Sequence, residues 1–226
     1  MKRRPTHELL DSDSGTPDEV ARSIRDLQSF NIRLGGVTTT REMIRSVARQ
    51  TRKSGLSILE VASGSGFVPA HAARELAEEG ISLQITLLDR ASTHLPRNGA
   101  SRKVVADALT LPFSDSTFDL VSCSLFLHHL SPADAVRFTR ESLRVSRVAV
   151  LVNDLIRHPL HLALAYLGAP LYRSRLTRHD APASVKQAYT IEEMQELLCK
   201  GGAANVETQT HYLYRMGMIA WKMIPK

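Results

Sequence analysis

A short apolar run that ends in an acidic residue and then breaks into a glycine loop, Ser57 to Gly66, constrains the fold of this chain more than any other feature. A run of this length suits a buried parallel strand, and glycines directly after it let the backbone turn sharply and approach a ligand. The pattern predicts a nucleotide-type cofactor site at the end of a strand. Dinucleotide-binding sheets place a third glycine where this chain has Pro69, which disfavours NAD.

Strand and helix patterns alternate from Ser57 onward, as in a parallel sheet covered on both faces. The last two strands have only a short polar connection, so we expect them to form an antiparallel hairpin. The sequence therefore predicts an α/β fold: a Rossmann-like, mostly parallel seven-stranded sheet with an antiparallel C-terminal strand and helices on both faces. The expected strands are residues 57–61, 84–88, 104–106, 120–124, 148–152, 205–210 and 214–221, and the expected helices are 71–79, one near 94, 132–145, 160–166 and 191–199.

The residues before the glycine loop predict two further helices. Thr16 is a capping residue and Pro17 suits the first helical position, so one helix is expected from Pro17 to about Phe30. A second helix, capped within residues 38–40, is expected to end near Lys53. The predicted organisation is an N-terminal helical cap at residues 1–54 and a main domain at 55–226, with a lid insertion at about 155–190.

Composition narrows the location and the partners that we expect. No apolar stretch reaches the roughly 18 residues of a membrane span, and the first residues lack the apolar region of a signal peptide, so a cytoplasmic protein is expected. Cys123 and Cys199 have no neighbours at metal-ligand spacing, which predicts reduced thiols and no metal site. The formal net charge is +6, but basic residues cluster weakly and aromatic residues are few, so nucleic acid is not the expected partner.

Four segments in a fixed order specify the cofactor further. The first is the loop Leu59 to Gly66, and the second is Asp89, which closes an apolar run 23 positions after Gly66. The third is Ala106-Asp107-Ala108, and the fourth is a strand introduced by Phe118-Asp119. In order and spacing these segments resemble the class I S-adenosylmethionine-dependent methyltransferases, over roughly residues 57–221.

The resemblance implies S-adenosylmethionine as the cofactor. Asp89 would accept hydrogen bonds from both ribose hydroxyls, and Asp107 would accept one from the adenine amino group. Glu60 lies in a buried run where an unpaired charge is costly, so it would face the cofactor's amino group or a bridging water. An acid after a strand is also a common helix cap, and this role stays open for Asp89 and Asp107. The expected cofactor-binding residues are Glu60, Ala62, Ser63, Gly64, Gly66, Asp89, Arg90, Asp107, Ala108 and Ser124.

Three histidines are candidates for catalysis. Methyl transfer from a sulfonium is an in-line displacement, so the enzyme aligns an electron-rich atom and removes any proton that it carries. Histidine is the side chain best matched to deprotonating a phenol or an enol near neutral pH. The candidate catalytic residues are His128 and His129 beyond the fourth strand, and His179 in an irregular Arg-His-Asp cluster. For each, ordering a loop or lying in solvent is the alternative.

The segment after the fifth strand points to the acceptor. Asn153 and Asp154 end that strand, and Arg178 lies beside His179. All three are expected to bind substrate. For Asn153 and Asp154, capping the next element is the alternative. The apolar stretch 155–178 suits a lid over an apolar or aromatic small molecule, and equally a homo-oligomer interface.

The expected reaction is O-methylation of a phenol or enol. The asparagine- or aspartate-proline motif of amine-methylating enzymes is absent after the fourth strand, where the chain has Ser122-Cys123-Ser124. The alternatives are C-methylation of a quinone or polyketide-type metabolite, and RNA methylation. A narrower likeness is to bacterial small-molecule methyltransferases of secondary metabolism, including ones that modify phenolic or polyketide-derived products.

Overall fold

A mixed sheet of seven strands forms the centre of the computed structural model, which describes residues 1–12, 14–96 and 101–223. The strands are β1 (Gly55–Val61), β2 (Ser82–Asp89), β3 (Arg102–Val105), β4 (Phe118–Ser124), β5 (Ser146–Leu155), β6 (Asn205–Tyr212) and β7 (Arg215–Trp221). Their order in the sheet is β3-β2-β1-β4-β5-β7-β6. Strands β1 to β5 pair in parallel, whereas β7 is antiparallel to both β5 and β6. The predicted reversed strand is therefore confirmed.

Helices cover both faces of the sheet, which confirms the predicted fold class. The α-helices of the described residues are α1 (Pro17–Arg33), α2 (Gly36–Thr51), α3 (Phe67–Glu78), α4 (Pro132–Val145), α5 (Pro159–Leu167), α6 (Arg175–Gln187) and α7 (Ile191–Lys200). On one face, Met43 of α2 and Leu76 of α3 share a core cluster with Ile58 of β1. On the other, Phe138 of α4 and Met194 of α7 pack in the cluster that includes strand residues of β4 and β5. In the described part of the chain, no helix is both long enough and apolar enough to cross a membrane.

The helices α1 and α2 pack against different parts of the molecule. α1 starts where the sequence predicts, because Thr16 and Glu19 form a capping box in which each side chain accepts a hydrogen bond from the other's backbone N–H. It packs against α2 and α6. α2 begins at Gly36, earlier than the predicted cap at 38–40, after Gly35 with φ +77°. α2 contributes to the sheet's core, whereas no described residue of α1 belongs to either core cluster. The domain division at residue 54 stays a prediction.

The largest difference from the sequence prediction is α6, which was expected to be irregular. Pro182 inside the segment argues against a helix, because proline removes an intrahelical hydrogen bond. The helix forms nevertheless, since Ser174 Oγ accepts from Leu176 N at 3.2 Å and the side chains of Leu176 and Val185 are buried. The short helix expected near His94 is also wrong, because residues 92–94 form a turn.

Candidate cofactor and acceptor cavity

The glycine loop between β1 and α3 has a left-handed backbone at several positions. The φ angles of Ala62, Gly64 and Gly66 are +52°, +50° and +70°. A Cβ added to Gly66 would lie 2.7 Å from Leu87 Cδ1, so a glycine there lets α3 start close against β2. A Cβ added to Gly64 would meet no atom within 4 Å. The loop is therefore tightly packed at Gly66 and leaves an open cradle at Gly64.

A cavity of about 620 Å³ separates this loop from α1, a size typical of small-molecule sites. It lies at the carboxyl edge of the sheet, where β1 and β4 are neighbours and the strand order reverses, which is where ligands bind in such sheets. Its loop side is formed by Glu60, Ala62, Ser63, Gly64, Ser124 and Leu125. Its facing side is formed by the α1 residues Val20, Ala21, Ile24, Leu27, Gln28 and Asn31. A polar wall with one carboxylate thus faces a mostly apolar helix.

Glu60 is the charged group of the loop side. Its side chain is 1% exposed, and Oε2 forms no hydrogen bond with any described residue. Burial raises the pKa of Glu60 to about 7, although the neighbouring hydroxyls of Ser122 and Ser124 lower it. A buried carboxylate oxygen without a donor is costly, so it favours a ligand that brings a cation or an N–H group. The orphaned oxygen and the open cradle at Gly64 both fit the amino acid end of S-adenosylmethionine.

Asp89 is held beside the loop at the end of β2. Its Oδ2 accepts from Gly64 N at 2.9 Å and its Oδ1 from Ala91 N at 3.0 Å, and His94 Nδ1 lies 3.6 Å from Oδ1. Each carboxylate oxygen accepts more than one hydrogen bond, so Asp89 keeps capacity for ribose hydroxyls. Arg90, the next residue, is exposed.

The predicted adenine contacts lie at the end of β3. Asp107 is exposed, and its Oδ1 accepts from Leu109 N at 2.8 Å, which holds the turn after β3. Ala108 is half-buried. Among the predicted cofactor residues, Gly66, Asp89, Arg90, Asp107 and Ala108 lie outside the lining of the cavity. Their cofactor contacts stay predictions.

None of the three histidines predicted to be catalytic lines the cavity. His128 is 2% exposed, with Nδ1 at 2.6 Å from Asp154 Oδ1 and Nε2 at 3.5 Å from Glu8 Oε1. Burial lowers the pKa of His128, but the carboxylates of Asp154 and Glu8 outweigh burial and raise it to about 10. A histidine in this state keeps its proton at neutral pH, so it is a poor general base.

The other two histidines also pair with acids. His129 Nδ1 lies 2.9 Å from Asp11 Oδ2, and His179, half exposed on α6, has Nδ1 at 2.8 Å from Asp180 Oδ1. Ligand atoms of Glu8, His128 and His129 lie within 4.8 Å of one another, close enough to hold a metal ion. Because both imidazoles already pair with carboxylates, we assign no ion to the cluster.

The residues predicted to bind substrate have local partners instead. Asn153 is fully buried: Nδ2 donates to Gly36 O at 2.7 Å and to Thr40 Oγ1 at 2.8 Å, and Oδ1 accepts from Arg215 Nη1 at 2.9 Å. These bonds tie β5 to the start of α2. Asp154 is equally buried, against His128.

Arg178 lies on an exposed part of α6 and donates to Tyr172 O. Arg178, Asn153 and Asp154 all lie outside the cavity lining, so substrate contact by any of them would require rearrangement.

No residue of α1 is among the site residues predicted from the sequence, although α1 supplies one wall of the cavity. Val20, Ile24, Leu27 and Asn31 recur at helical spacing, so the signal was present in the sequence. The spacing alone does not show whether such a face covers a core or a ligand. His94 was also missed, and it lines the loop side five positions after Asp89.

Comparison with known proteins shows what this chain is similar to. Residues 59–149 match the family model described as a methyltransferase domain. A demethylmenaquinone methyltransferase of Beutenbergia cavernae is 35% identical over 100 residues, which are 42% of this chain and 38% of that relative. The match therefore spans less than half the length of that curated relative.

Two solved structures share the fold over almost the whole chain. The S-adenosylmethionine-dependent methyltransferase SibL, in its apo form, superposes with a TM-score of 0.63 at 18% identity, covering 97% of this chain and 63% of that one. Human N-acetylserotonin methyltransferase in complex with SAM gives a TM-score of 0.58 at 16% identity, covering 98% of this chain and 64% of that one. The family match runs from β1 to β5 and includes the glycine loop, Asp89 and Asp107. Residues 59–149 are therefore a methyltransferase domain, and the chain has the fold of the S-adenosylmethionine-dependent methyltransferases.

Proposed function

We propose that this protein transfers the methyl group of S-adenosylmethionine to an apolar small molecule that binds against α1. The observation that carries the proposal is the cavity in which the Glu60 and glycine-loop wall faces the apolar side of α1. An in-line displacement needs the methyl donor and the attacking atom to be held together in one space. A mostly apolar facing wall favours an acceptor that is itself apolar or aromatic.

The loop side has the groups needed to hold the cofactor. Glu60 and the backbone from Ala62 to Gly64 would bind its amino acid end, Asp89 its ribose, and Asp107 its adenine. Bound there, S-adenosylmethionine supplies an electrophilic methyl group on a positively charged sulfur. Val20, Ile24 and Leu27 would exclude water from the acceptor, which strengthens electrostatic interactions within the cavity.

The α1 wall determines which acceptors are suitable. Among the described residues of α1 that line the cavity, none titrates near neutral pH, whereas Gln28 and Asn31 offer amide groups. The α1 wall therefore offers no base, and the lining imidazole of His94 lies on the loop side, with Nδ1 3.6 Å from Asp89 Oδ1. An acceptor hydroxyl held against α1 should itself be acidic enough to lose its proton. A phenol activated by its substituents, or an enol, meets this condition, so we propose O-methylation as the main reaction.

C-methylation of a quinone-type acceptor is the second candidate. The local match to a demethylmenaquinone methyltransferase favours it. A hydroquinone ring carbon is nucleophilic once the ring hydroxyl ionises, so the same cavity and the same proton requirement apply.

Methyl-labelled cofactor distinguishes these acceptors. The protein would be incubated with labelled S-adenosylmethionine and, separately, with activated phenols, β-dicarbonyl enols, a menaquinone-type hydroquinone and total RNA. We expect label in an apolar product as a methyl ether. Label on a ring carbon would favour the second candidate, and label in RNA alone would contradict the proposal.

A substitution that fills the acceptor side provides a structural test. Ala21→Trp should block acceptor turnover by occupying the cavity, while the dissociation constant of S-adenosylhomocysteine stays within about twofold, because Ala21 lies on the wall opposite the loop. Ala133→Trp, on the exposed first turn of α4, is the matched control and should leave both quantities unchanged. Full turnover by Ala21→Trp would place the acceptor elsewhere.

A further inference from the structure

The leucines of α5 and the segment after it face solvent instead of the core. Leu160, Leu164, Leu167 and Leu171 are spaced as on one helical face and are 53%, 45%, 75% and 84% exposed. We call these four residues the leucine stripe. A surface helix normally turns such a stripe towards the core, but only Ala165 of α5 is buried. An exposed apolar surface of this kind is typical of an interaction site.

A basic cleft lies next to the leucine stripe. Lys2, Arg4 and Lys186 line this cleft of about 400 Å³ together with Met1 and with Leu162 of α5. The described residues that line it include no acid. The chain holds the cleft in shape, because Arg4 N donates to Lys186 O at 3.0 Å. Lys186 Nζ also lies 5.3 Å from the ring centroid of Tyr166 on α5, which connects the cleft to the stripe.

The segment that carries the leucine stripe is predominantly basic. Residues 155–187 contain five lysines and arginines and a single acid, Asp180. Asp180 is 7% exposed and accepts hydrogen bonds from Leu9 N and Leu10 N, so it presents little negative charge to solvent. Arg157, Arg173 and Arg175 pair with Glu193, Asp26 and Glu19, which leaves the excess positive charge at Arg178 and in the basic cleft. The partner of this surface should therefore be apolar in its interior and negative at its boundary.

We propose that the leucine stripe and the basic cleft dock this protein on the surface of an anionic lipid bilayer. The leucines enter the boundary of the acyl chains, and Lys2, Arg4 and Lys186 meet the phosphate headgroups. An apolar helical face flanked by lysine and arginine is the pattern of helices that lie in a membrane interface. Each basic residue near an anionic surface strengthens such binding.

A second copy of the chain fits this surface less well. A two-fold contact centred on the stripe would bring two basic clefts to the same interface, where like charges repel. The bilayer proposal does not depend on which acceptor is methylated.

Vesicle flotation tests the proposal. The full chain should float with vesicles of phosphatidylcholine and phosphatidylglycerol, bind pure phosphatidylcholine vesicles more weakly, and lose affinity for the anionic vesicles as salt increases. The double variant Leu167→Glu/Leu171→Glu should weaken partitioning by about tenfold or more. Lys186→Gln should weaken it by about fivefold, and only on anionic vesicles.

Met223→Glu is the matched control. Met223 is 74% exposed just beyond the end of β7. Because β7 runs antiparallel to β5, this position lies at the opposite end of the strands from the point where β5 leads into α5. Its substitution should therefore leave partitioning unchanged. Circular dichroism and S-adenosylhomocysteine binding would establish that each variant is folded. The proposal is overturned if the folded wild type does not bind anionic vesicles at low salt, or if the double leucine variant binds them equally well. It is also overturned if the wild type is a dimer in lipid-free solution that the double leucine variant dissociates.

Discussion

At the scale of single residues, two acids at neighbouring strand ends differ in how they are satisfied. Asp89 accepts two backbone hydrogen bonds and is ordered before any ligand arrives. Glu60 is buried at the floor of the cavity with one oxygen unpaired, and burial raises its pKa to about 7. A carboxyl group in this state is sensitive to the charge of any ligand that binds beside it.

The pH dependence of cofactor binding should therefore depend on Glu60. A cofactor with a positively charged amino group and sulfur favours the ionised carboxylate, so binding releases a proton below pH 7. Affinity for S-adenosylmethionine should fall by about tenfold per pH unit as pH is lowered from about 7 to 5.5. Glu60→Gln should bind more weakly at pH 7 and show a nearly flat profile over this range. Calorimetry measures both, and an unchanged slope in the variant would assign the titration to another group.

Gly66 of the glycine loop can be compared with Gly80, which lies between α3 and β2, to separate the cost of backbone strain from the cost of disturbed packing. Gly66 and Gly80 have φ of +70° and +80°, but an added Cβ meets Leu87 at the first and no atom within 4 Å at the second. Gly80→Ala should cost about 1–2 kcal/mol of unfolding free energy through backbone strain alone. Gly66→Ala should cost at least about 1 kcal/mol more, because the buried side chain of Leu87 has to move. Urea unfolding measures the difference, and equal losses would contradict the packing role of Gly66.

At the scale of elements, the sequence predicts helices best where local chemistry and packing agree. α4 has the predicted bounds because Ser131 caps it and Pro132 occupies its first position. α6 was missed because Pro182 disfavours a helix locally, and only burial of the helix against neighbouring elements overrides that preference. The cavity-lining face of α1 follows from how α1 packs on α6, which periodicity cannot reveal.

The contact between α1 and α6 should therefore control acceptor binding. Asp26 of α1 is 4% exposed, and its Oδ2 accepts from Arg173 N at 2.8 Å and Ser174 N at 3.2 Å, just before α6. Asp26→Ala removes the acceptor of the Arg173 and Ser174 N–H groups, the second of which is buried, and should lower the unfolding free energy by about 1–3 kcal/mol. It should also raise KM for the acceptor more than the dissociation constant of the cofactor.

Asp18→Ala is the control for that variant. Asp18 lies on the same helix and its side chain is 80% exposed, so its substitution should change neither stability nor KM appreciably. If Asp26→Ala lowers stability while KM for the acceptor stays unchanged, α1 does not form the acceptor wall.

At the scale of the whole molecule, the site combines two parts with different origins. The loop side comes from residues that directly follow β1, β2 and β4, and parallel strands bring these ends together at one edge of the sheet. This is why the glycine loop and Asp89 could be placed from sequence. The facing side comes from α1, more than 30 residues earlier in the chain, and the predicted histidines turned out to pair with acids outside the cavity.

Calorimetric titration of the protein with S-adenosylhomocysteine tests the central claim, that the carboxyl edge of this sheet is a cofactor site, most directly. We predict one site per chain, with affinity reduced at least about tenfold by Asp89→Ala, since that variant would remove the proposed charged acceptor for the ribose hydroxyls. Asp115→Ala, which removes an acid whose side chain is 76% exposed and pairs with Arg144, should bind as the wild type does. Absence of binding to the wild-type protein, or equal affinity in Asp89→Ala, would contradict the account.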